Sequence, residues 1–359
     1  MSAVSSPPGS GEALPPPEPM LRLRGVVKDF QDRRGVFASG RGPRLRAVDG
    51  VDLEVYRGET LGIVGETGCG KSTLARVMMR LLTLTAGSIE FDGQDITRYH
   101  SRQLRPLRRE MQMVFQDPYA SLNPRRRVGS IIADPLSIHR RGSREERKVV
   151  VQELMDIVGL NPEHYQRYPQ EFSGGQRQRI GVARALALRP KLVVCDEPVS
   201  ALDVSIQAQL INLLLELQNE FQLTYVFIAH DLSVVRHVSD RVAVMYMGKL
   251  VEVANADALY ERPKHPYTAS LLSASPVADP DLAAERSRVV LSGEAPSPFD
   301  LPAGCRFYPR CPEAQDVCRR SEPELEASGD DAVACHFPLS ASSVLVRKDG
   351  ARTRRDDLS

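Results

Sequence analysis

Short apolar runs recur between residues 20 and 254, and they alternate with stretches whose apolar positions fall three and four residues apart. The runs have strand length, and the wider spacing is that of a helix with one buried face. The alternation predicts strands joined by crossover helices in a largely parallel sheet covered on both sides. The clearest buried strands are 61–64, 113–115, 192–195 and 226–229, each followed at once by glycine or polar residues, and a helical run over 74–82 follows the first of them. In such a sheet ligands sit at the carboxyl ends of the strands, so the residues just after those runs are where chemistry is expected.

The pattern changes in two places. Over about 119–170 it becomes amphipathic helices broken by Pro124, Pro135, Pro162 and Pro169, which reads as a helical insertion in a main domain spanning 20–260. Beyond 262, Pro263, Pro266, Pro276 and Pro280 mark a loop-rich extension over 261–339. Residues 1–19, rich in Pro, Ser and Gly, cannot repay the entropy of ordering and read as a disordered tail; the charged stretch 340–359 reads as a flexible one.

Composition narrows the function classes. Of 359 residues 47 are Lys or Arg and 46 Asp or Glu, so no global field favours nucleic acid or an anionic membrane, and no nucleic-acid partner is expected. No stretch approaches the roughly 18 consecutive apolar residues of a spanning helix, and the first residues lack a basic-then-apolar signal pattern. A cytosolic protein that reaches a membrane only through partners is expected. Cys69 and Cys195 stand alone inside apparent catalytic motifs, whereas Cys305, Cys311, Cys318 and Cys335 crowd the extension. In a reducing cytosol that crowding points to a metal centre before disulfides.

Gly65-Glu66-Thr67-Gly68-Cys69-Gly70-Lys71-Ser72-Thr73 fits G-x-x-x-x-G-K-[ST], placed after a predicted strand and before a predicted helix. Glycines let successive backbone N–H groups turn inward around phosphate oxygens, the helix N-terminus adds its positive end, and Lys71 reaches the β and γ phosphates. Ser72 is the expected magnesium ligand. Alone, the loop marks a nucleotide-binding protein that could equally be a kinase, a GTPase or a motor.

Asp196 and Glu197 close another apolar run, where buried charge is tolerated only beside a cation or a strong donor. Magnesium supplies that cation: Asp196 is expected to coordinate it, and Glu197 to polarise the attacking water. His230 and Gln116 end two further strands in the same way, His230 within reach of a γ-phosphate and Gln116 offering an amide oxygen to magnesium or water. Without the phosphate loop, each would read as a turn residue or a structural histidine.

Ser173-Gly174-Gly175-Gln176-Arg177-Gln178 resembles the signature motif of the ABC ATPase family, and the order of phosphate loop, Gln116, signature, Asp196-Glu197, Ser200-Ala201-Leu202-Asp203 and His230 completes the resemblance. It implies a P-loop α/β fold: a parallel-sheet core with an antiparallel β subdomain and a helical subdomain. It also implies a head-to-tail dimer in which one subunit's phosphate loop and the other's signature residues, Ser173 to Gln176, sandwich each ATP, with Asp203 at the dimer interface. An aromatic that stacks on adenine is implied near the start; Phe30 is the better match and Phe37 the weaker. The catalytic set expected on this reading is Glu197, His230, Gln116 and Lys71, with magnesium held by Ser72, Gln116 and Asp196.

Two segments look like the subfamily of dipeptide and oligopeptide importers: Phe115-Gln116-Asp117-Pro118-Tyr119-Ala120-Ser121-Leu122-Asn123-Pro124, and Arg262-Pro263-Lys264-His265-Pro266-Tyr267-Thr268 with its cysteine-bearing extension. Mechanically the second reads as a proline-bounded rigid link and not as catalytic. The cysteines are spaced C-x5-C-x6-C-x16-C, wider than the pairs usual for structural zinc. Four thiolates also suit an iron–sulfur cluster, and the resemblance implies [4Fe–4S]; zinc, with His336 as a spare ligand, and four free thiols are the alternatives.

The implied function is ATP hydrolysis energising uptake of dipeptides or oligopeptides, with nickel or another small solute, or a non-transport ABC ATPase, as alternatives. The implied partners are a second ATPase subunit, a paralogue before a second copy of this chain, two transmembrane permease subunits and, indirectly, an extracytoplasmic solute-binding protein. The implied place is the cytoplasmic face of the cell membrane, held peripherally through the permease subunits.

Overall fold

The computed structural model describes residues 18–31, 44–117, 121–200, 202–274, 296–297, 299–328 and 331–340. Both expected tails, Phe37, 118–120 and Ala201 lie outside the described residues or nearly so.

Two sheets organise the chain. The smaller is antiparallel throughout, in the order β2-β1-β4-β5, with β1 at Pro19–Gln31, β2 at Arg44–Tyr56, β4 at Ala86–Phe91 and β5 at Gln94–Asp95. The larger runs β11-β12-β10-β9-β3-β8-β7-β6, with β10 at Lys249–Asn255, β11 at Glu326–Ser328 and β12 at Asp331–Val333. At its centre β3 (Thr60–Val64) lies parallel to both β8 (Thr224–Ile228) and β9 (Arg241–Tyr246), and the parallel set continues through β7 (Leu192–Asp196) to β6 (Met111–Val114).

Every residue of β3, β7 and β8 is buried, as the continuous apolar runs require of strands covered on both faces. Successive side chains alternate between two cores. Leu61, Ile63, Val194, Val226 and Ile228 pack against the antiparallel sheet and α1 (Lys71–Met78), while Val64, Val193, Cys195, Tyr225 and Phe227 face the helical side. Helix α1 starts three residues before the periodic run begins and ends before Leu82, because Arg80 adopts a left-handed backbone (φ 52°) and Leu81 N–H turns back to the Arg76 carbonyl.

The helical region contains Val128–Ile138 and Arg144–Ile157, followed by 3-10 turns at Pro162–Gln166 and Pro169–Glu171. Pro162 and Pro169 open their turns, where a missing N–H costs nothing. Pro135 does not break its helix as expected: it gives up one N–H bond, and the buried flank of Ile131, Ile132 and Leu136 holds the helix through it. The second helix opens on a capping box, with Glu146 N–H donating to Ser143 Oγ at 3.2 Å and Ser143 N–H to Glu146 Oε2 at 2.6 Å.

The extension is built into the main sheet. β12 (Asp331–Val333) pairs antiparallel with β10 (Lys249–Asn255), β11 (Glu326–Ser328) pairs with β12, and Phe307 is buried in the helical-side core. At the junction buried Glu252 accepts the N–H groups of Lys264 (2.8 Å) and His265 (2.9 Å), and Tyr267 N–H donates to His265 Nδ1 at 3.0 Å. The His-Pro-Tyr segment is thus pinned by main-chain bonds and leads into the helix Pro266–Ala274.

Candidate functional site

The chain leaves β3 at Val64 and turns through Gly65 to Gly70 before α1 begins at Lys71. At Gly65 (φ +152°) a Cβ would stand 2.1 Å from the Met245 carbonyl oxygen, so glycine alone lets the loop pass this close to β9. Cys69 N–H closes the loop onto the Glu66 carbonyl at 3.2 Å. Lys71 folds back on it, with Nζ 2.7 Å from the Gly65 carbonyl and 3.0 Å from that of Glu66. The side chain is buried, so its ammonium rests on carbonyls that phosphate oxygens can replace.

Ser72 Oγ donates to Asp196 Oδ1 at 2.8 Å, joining the first turn of α1 to the end of β7. Burial pushes the Asp196 carboxyl up, with the Ser72 hydrogen bond and Arg76 pulling it back. A buried carboxylate beside a hydroxyl is a pair of hard oxygens suited to magnesium, and a cation there would offset the cost of burying Asp196.

Glu197 departs from the strand in a left-handed conformation (φ 47°), its N–H held by the Ile228 carbonyl at 3.0 Å. Its Oε2 accepts from Gln116 Nε2 at 2.7 Å and lies 3.6 Å from His230 Nδ1. Gln116 follows β6 by two residues and His230 follows β8 by two, so three adjacent strand ends converge on one carboxylate. These three side chains, Phe30 and the loop from Thr67 to Thr73 line a single open pocket. Phe30 is exposed on its wall, with Lys28 Nζ 5.0 Å from the ring centroid. The pocket combines an anion cradle and an anchored carboxylate able to orient water, with Ser72 on its wall backed by Asp196 as a magnesium-compatible pair, the parts needed to hydrolyse a nucleotide triphosphate.

Not every expected residue is there. Gly65, Glu66 and Asp196 lie behind the lining, and Ser173, Gly174, Gly175, Gln176 and Asp203 belong to a separate surface. Ser173 caps the helix Gly174–Leu186 by accepting Gln176 N–H at 3.3 Å, while its own N–H donates to Gln176 Oε1 at 3.0 Å. Asp203 likewise caps Val204–Phe221 by accepting Ile206 N–H at 3.0 Å. The two caps are neighbours: a Cβ on Gly175 would stand 2.4 Å from Ile206 Cγ2.

Several pocket residues carry no motif signal. Leu45, Arg46, Ala47, Met247 and Gly248 come from β2 and the turn after β9, and Leu301 from the extension. Arg310 and Tyr267, also from the extension, bond the phosphate loop at Glu66. The His-Pro-Tyr segment reads from sequence as a rigid, non-catalytic link, and no motif marks its bond to the phosphate loop.

Cys305, Cys311, Cys318 and Cys335 line one small cavity with Phe307, His336 and Phe337, and burial pushes the Cys311 and Cys335 thiols up to about 11. Among the described residues no group of three or more His, Cys, Asp or Glu side chains is arranged to hold a metal ion. Neither the expected iron–sulfur cluster nor the zinc alternative therefore has geometric support among the described residues. Among the described residues, too, no helix is long and apolar enough to cross a membrane.

Comparison with known proteins agrees with this geometry. The family model "ABC transporter" matches residues 48–200, and "Oligopeptide/dipeptide transporter, C-terminal region" matches 251–318. The chain is 55% identical to the oligopeptide transport ATP-binding protein AppF of Bacillus subtilis, over 89% of this chain and 98% of that one. It is 51% identical to the di/tripeptide transport ATP-binding protein DppF of Pseudomonas aeruginosa over 89% and 98%, and 54% identical to OppF of Salmonella typhimurium over 88% and 95%. Among solved structures, a dimeric ATP-binding cassette in a post-hydrolysis state bound to ADP and Pi is 28% identical with a TM-score of 0.59, covering 66% of this chain and 99% of its own. The chain belongs to the ABC transporter ATPase family, in the group that carries the oligopeptide/dipeptide transporter C-terminal region.

Proposed function

We propose that this chain is the ATP-binding and ATP-hydrolysing subunit of an importer that takes up dipeptides or oligopeptides across the cytoplasmic membrane. The observation that carries the reading is the convergence of Gln116 and His230 on Glu197 beside the phosphate loop, in a chain over 50% identical along nearly its whole length to ATP-binding proteins named for peptide transport.

Phe30 packs the adenine, the loop amides and Lys71 hold the phosphates, and Ser72, Asp196 and Gln116 would hold magnesium, which would supply positive charge against the phosphates. Glu197 takes the attacking water as hydrogen-bond acceptor, with His230 beside it. Release of the Gln116 to Glu197 bond when a nucleotide binds would move the segment after β6, which leads into the helical region, and so couple the site to the permease subunits. Ser173 to Gln176 and Asp203 serve the pocket of a second ATPase subunit, a paralogue before an identical copy. On this reading the protein works at the cytoplasmic face, held by two permease subunits and fed by an extracytoplasmic binding protein.

The four thiols are proposed as ligands of an iron–sulfur cluster. The proposal rests on the family resemblance and on the four thiols lining one small cavity, and visible absorption with iron analysis of anaerobically purified protein tests it.

The function is tested by purifying the complex in mild detergent, identifying its members by mass spectrometry and assaying ATP turnover. Recovery of polytopic permease subunits, with turnover reduced at least ~100-fold by Glu197→Gln while ATP still binds, is the expected result. Turnover at the parent rate in that variant would remove Glu197 from the chemistry; ribosomal or DNA-repair partners would remove transport.

A further inference from the structure

We propose that Arg310, carried by the cysteine-bearing extension, is a positioning residue for nucleotide binding: it acts through Glu66 to hold and neutralise the phosphate loop. The inference rests on the reading of the pocket as an ATP site.

Glu66 occupies the second position of the loop, and every polar group it has is engaged. Its carboxylate receives a two-pronged guanidinium, Arg310 Nη1 to Oε2 at 2.9 Å and Nη2 to Oε1 at 3.0 Å. Its N–H donates to the Tyr267 hydroxyl at 2.9 Å, and its carbonyl takes Lys71 Nζ at 3.0 Å and Cys69 N–H at 3.2 Å. Two of these holds come from the extension, across 201 and 244 residues of sequence. The loop amides that would face phosphate therefore hang between α1 on one side and a residue clamped by the extension on the other.

Arg310 is well placed for this. Its side chain is 11% exposed, its Nη1 also reaches the Tyr246 hydroxyl at 3.5 Å, and its Nε is buried without a partner, so the fork onto Glu66 is what orients the guanidinium. It ends the 3-10 turn Tyr308–Arg310, directly before Cys311, and Cys305 N–H is bonded to the Cys318 carbonyl at 2.8 Å. Behind it, Tyr246, Tyr267 and Phe307 pack with ring centroids 4.6 to 5.4 Å apart, leaving the turn no free play. The planar fork matters as much as the charge, because only a guanidinium meets both carboxylate oxygens at once.

Charge gives the arrangement its direction. A carboxylate one residue from phosphate-binding amides repels a polyphosphate unless it is neutralised. Removing Arg310 would leave the Glu66 carboxylate unpaired, and weaken nucleotide binding without touching Glu197, Gln116 or His230.

The test is a double-mutant cycle on the full chain, reading the Kd for trinitrophenyl-ATP and, in the permease complex, KM and kcat for ATP. Arg310→Gln is expected to raise Kd and KM about 10-fold with kcat within about twofold, and Arg310→Lys, charged but not forked, about 3-fold. Glu66→Gln added to Arg310→Gln is expected to bring Kd back toward the parent, since it removes the unpaired carboxylate. A merely structural Arg310 predicts instead that the two losses multiply. Kd and KM within about twofold of the parent in Arg310→Gln, or a double variant worse than either single, overturns the proposal. Should Arg310→Gln not fold, Arg310→Lys alone and with Glu66→Gln decides by the same criteria. A parent that fails to bind the nucleotide while Lys71→Ala behaves identically would instead sink the ATP-site reading itself.

Discussion

The phosphate loop and the signature turn are both glycine-rich starts of helices, yet the structure treats them differently. The loop is held from outside: Lys71 lies on its carbonyls, Ser72 on Asp196, and Arg310 and Tyr267 on Glu66. The signature turn closes on itself through the reciprocal Ser173 and Gln176 bonds, with Ile206 beneath Gly175, and is tied to its surroundings by Arg177 Nε on the Pro169 carbonyl (2.7 Å) and Gln178 Nε2 on that of Phe115 (3.4 Å). One has a pocket in front of it; the other is a capped helix end that lines no part of that pocket. On the proposed reading, the signature turn is complete as local structure and becomes a site only when a second subunit meets it.

The largest expected effect separates the two at once. Lys71→Ala should weaken ATP binding by the isolated chain at least ~100-fold, since the substitution removes a buried cation from the phosphate cradle. Ser173→Ala should leave that binding within about twofold, because the signature does not line this chain's own pocket. Equilibrium binding of a fluorescent ATP analogue measures both, and a comparable loss in the two variants would collapse the comparison.

A somewhat smaller effect sharpens it. Aspartate is as good a helix cap as serine, so Ser173→Asp should leave thermal stability unchanged, within roughly 1 kcal/mol, while placing a carboxylate where a partner's phosphates are proposed to lie. Turnover of the assembled complex is expected to fall at least ~10-fold with ATP binding by the isolated chain retained. Unimpaired turnover would show that the signature turn does not meet a nucleotide.

Much of this contrast was legible in the chain. Gly65, Lys71, Ser72 and Asp196-Glu197 announce themselves because each needs a particular residue type at a particular offset from a buried strand, and apolar runs at 61–64 and 192–195 locate those strands. Ser173 announces its cap in the same local way. What stayed hidden is what depends on long-range contact. Nothing in the spacing of Arg310 marks it as the partner of Glu66, 244 residues earlier, and nothing in the sequence marks Leu301 as a lining residue of the pocket. Pro135 misled for a related reason, since tertiary burial of Ile131, Ile132 and Leu136 outweighs a local preference. The cysteines showed that they would gather, but spacing could not say around what.

The last expected effect concerns the buttress that the loop has and the signature lacks. His265 is wholly buried between Glu252 and Tyr267, and burial drops its imidazole from its ordinary value of 6.5 to about 3. The folded state therefore keeps it neutral where the unfolded chain takes up a proton. Its contribution to stability is full above pH 6.5 and is lost as pH falls from there toward 3, at about 1.4 kcal/mol per pH unit. Glu252 pulls the other way: burial raises its carboxyl, so its own contribution grows as pH falls through that raised value, and only a difference between variants isolates the histidine. His265→Asn keeps an acceptor for Tyr267 N–H and cannot protonate, so its stability should fall less steeply between pH 7 and pH 5 than the parent's, by about 2 kcal/mol over the interval. Denaturant unfolding at the two pH values measures this. Because Tyr267 holds the Glu66 amide, loss of ATP affinity over the same interval should also be shallower in His265→Asn. Parallel pH profiles in parent and variant would mean that the extension and the phosphate loop are not coupled through this histidine, leaving Arg310 as the connection between them.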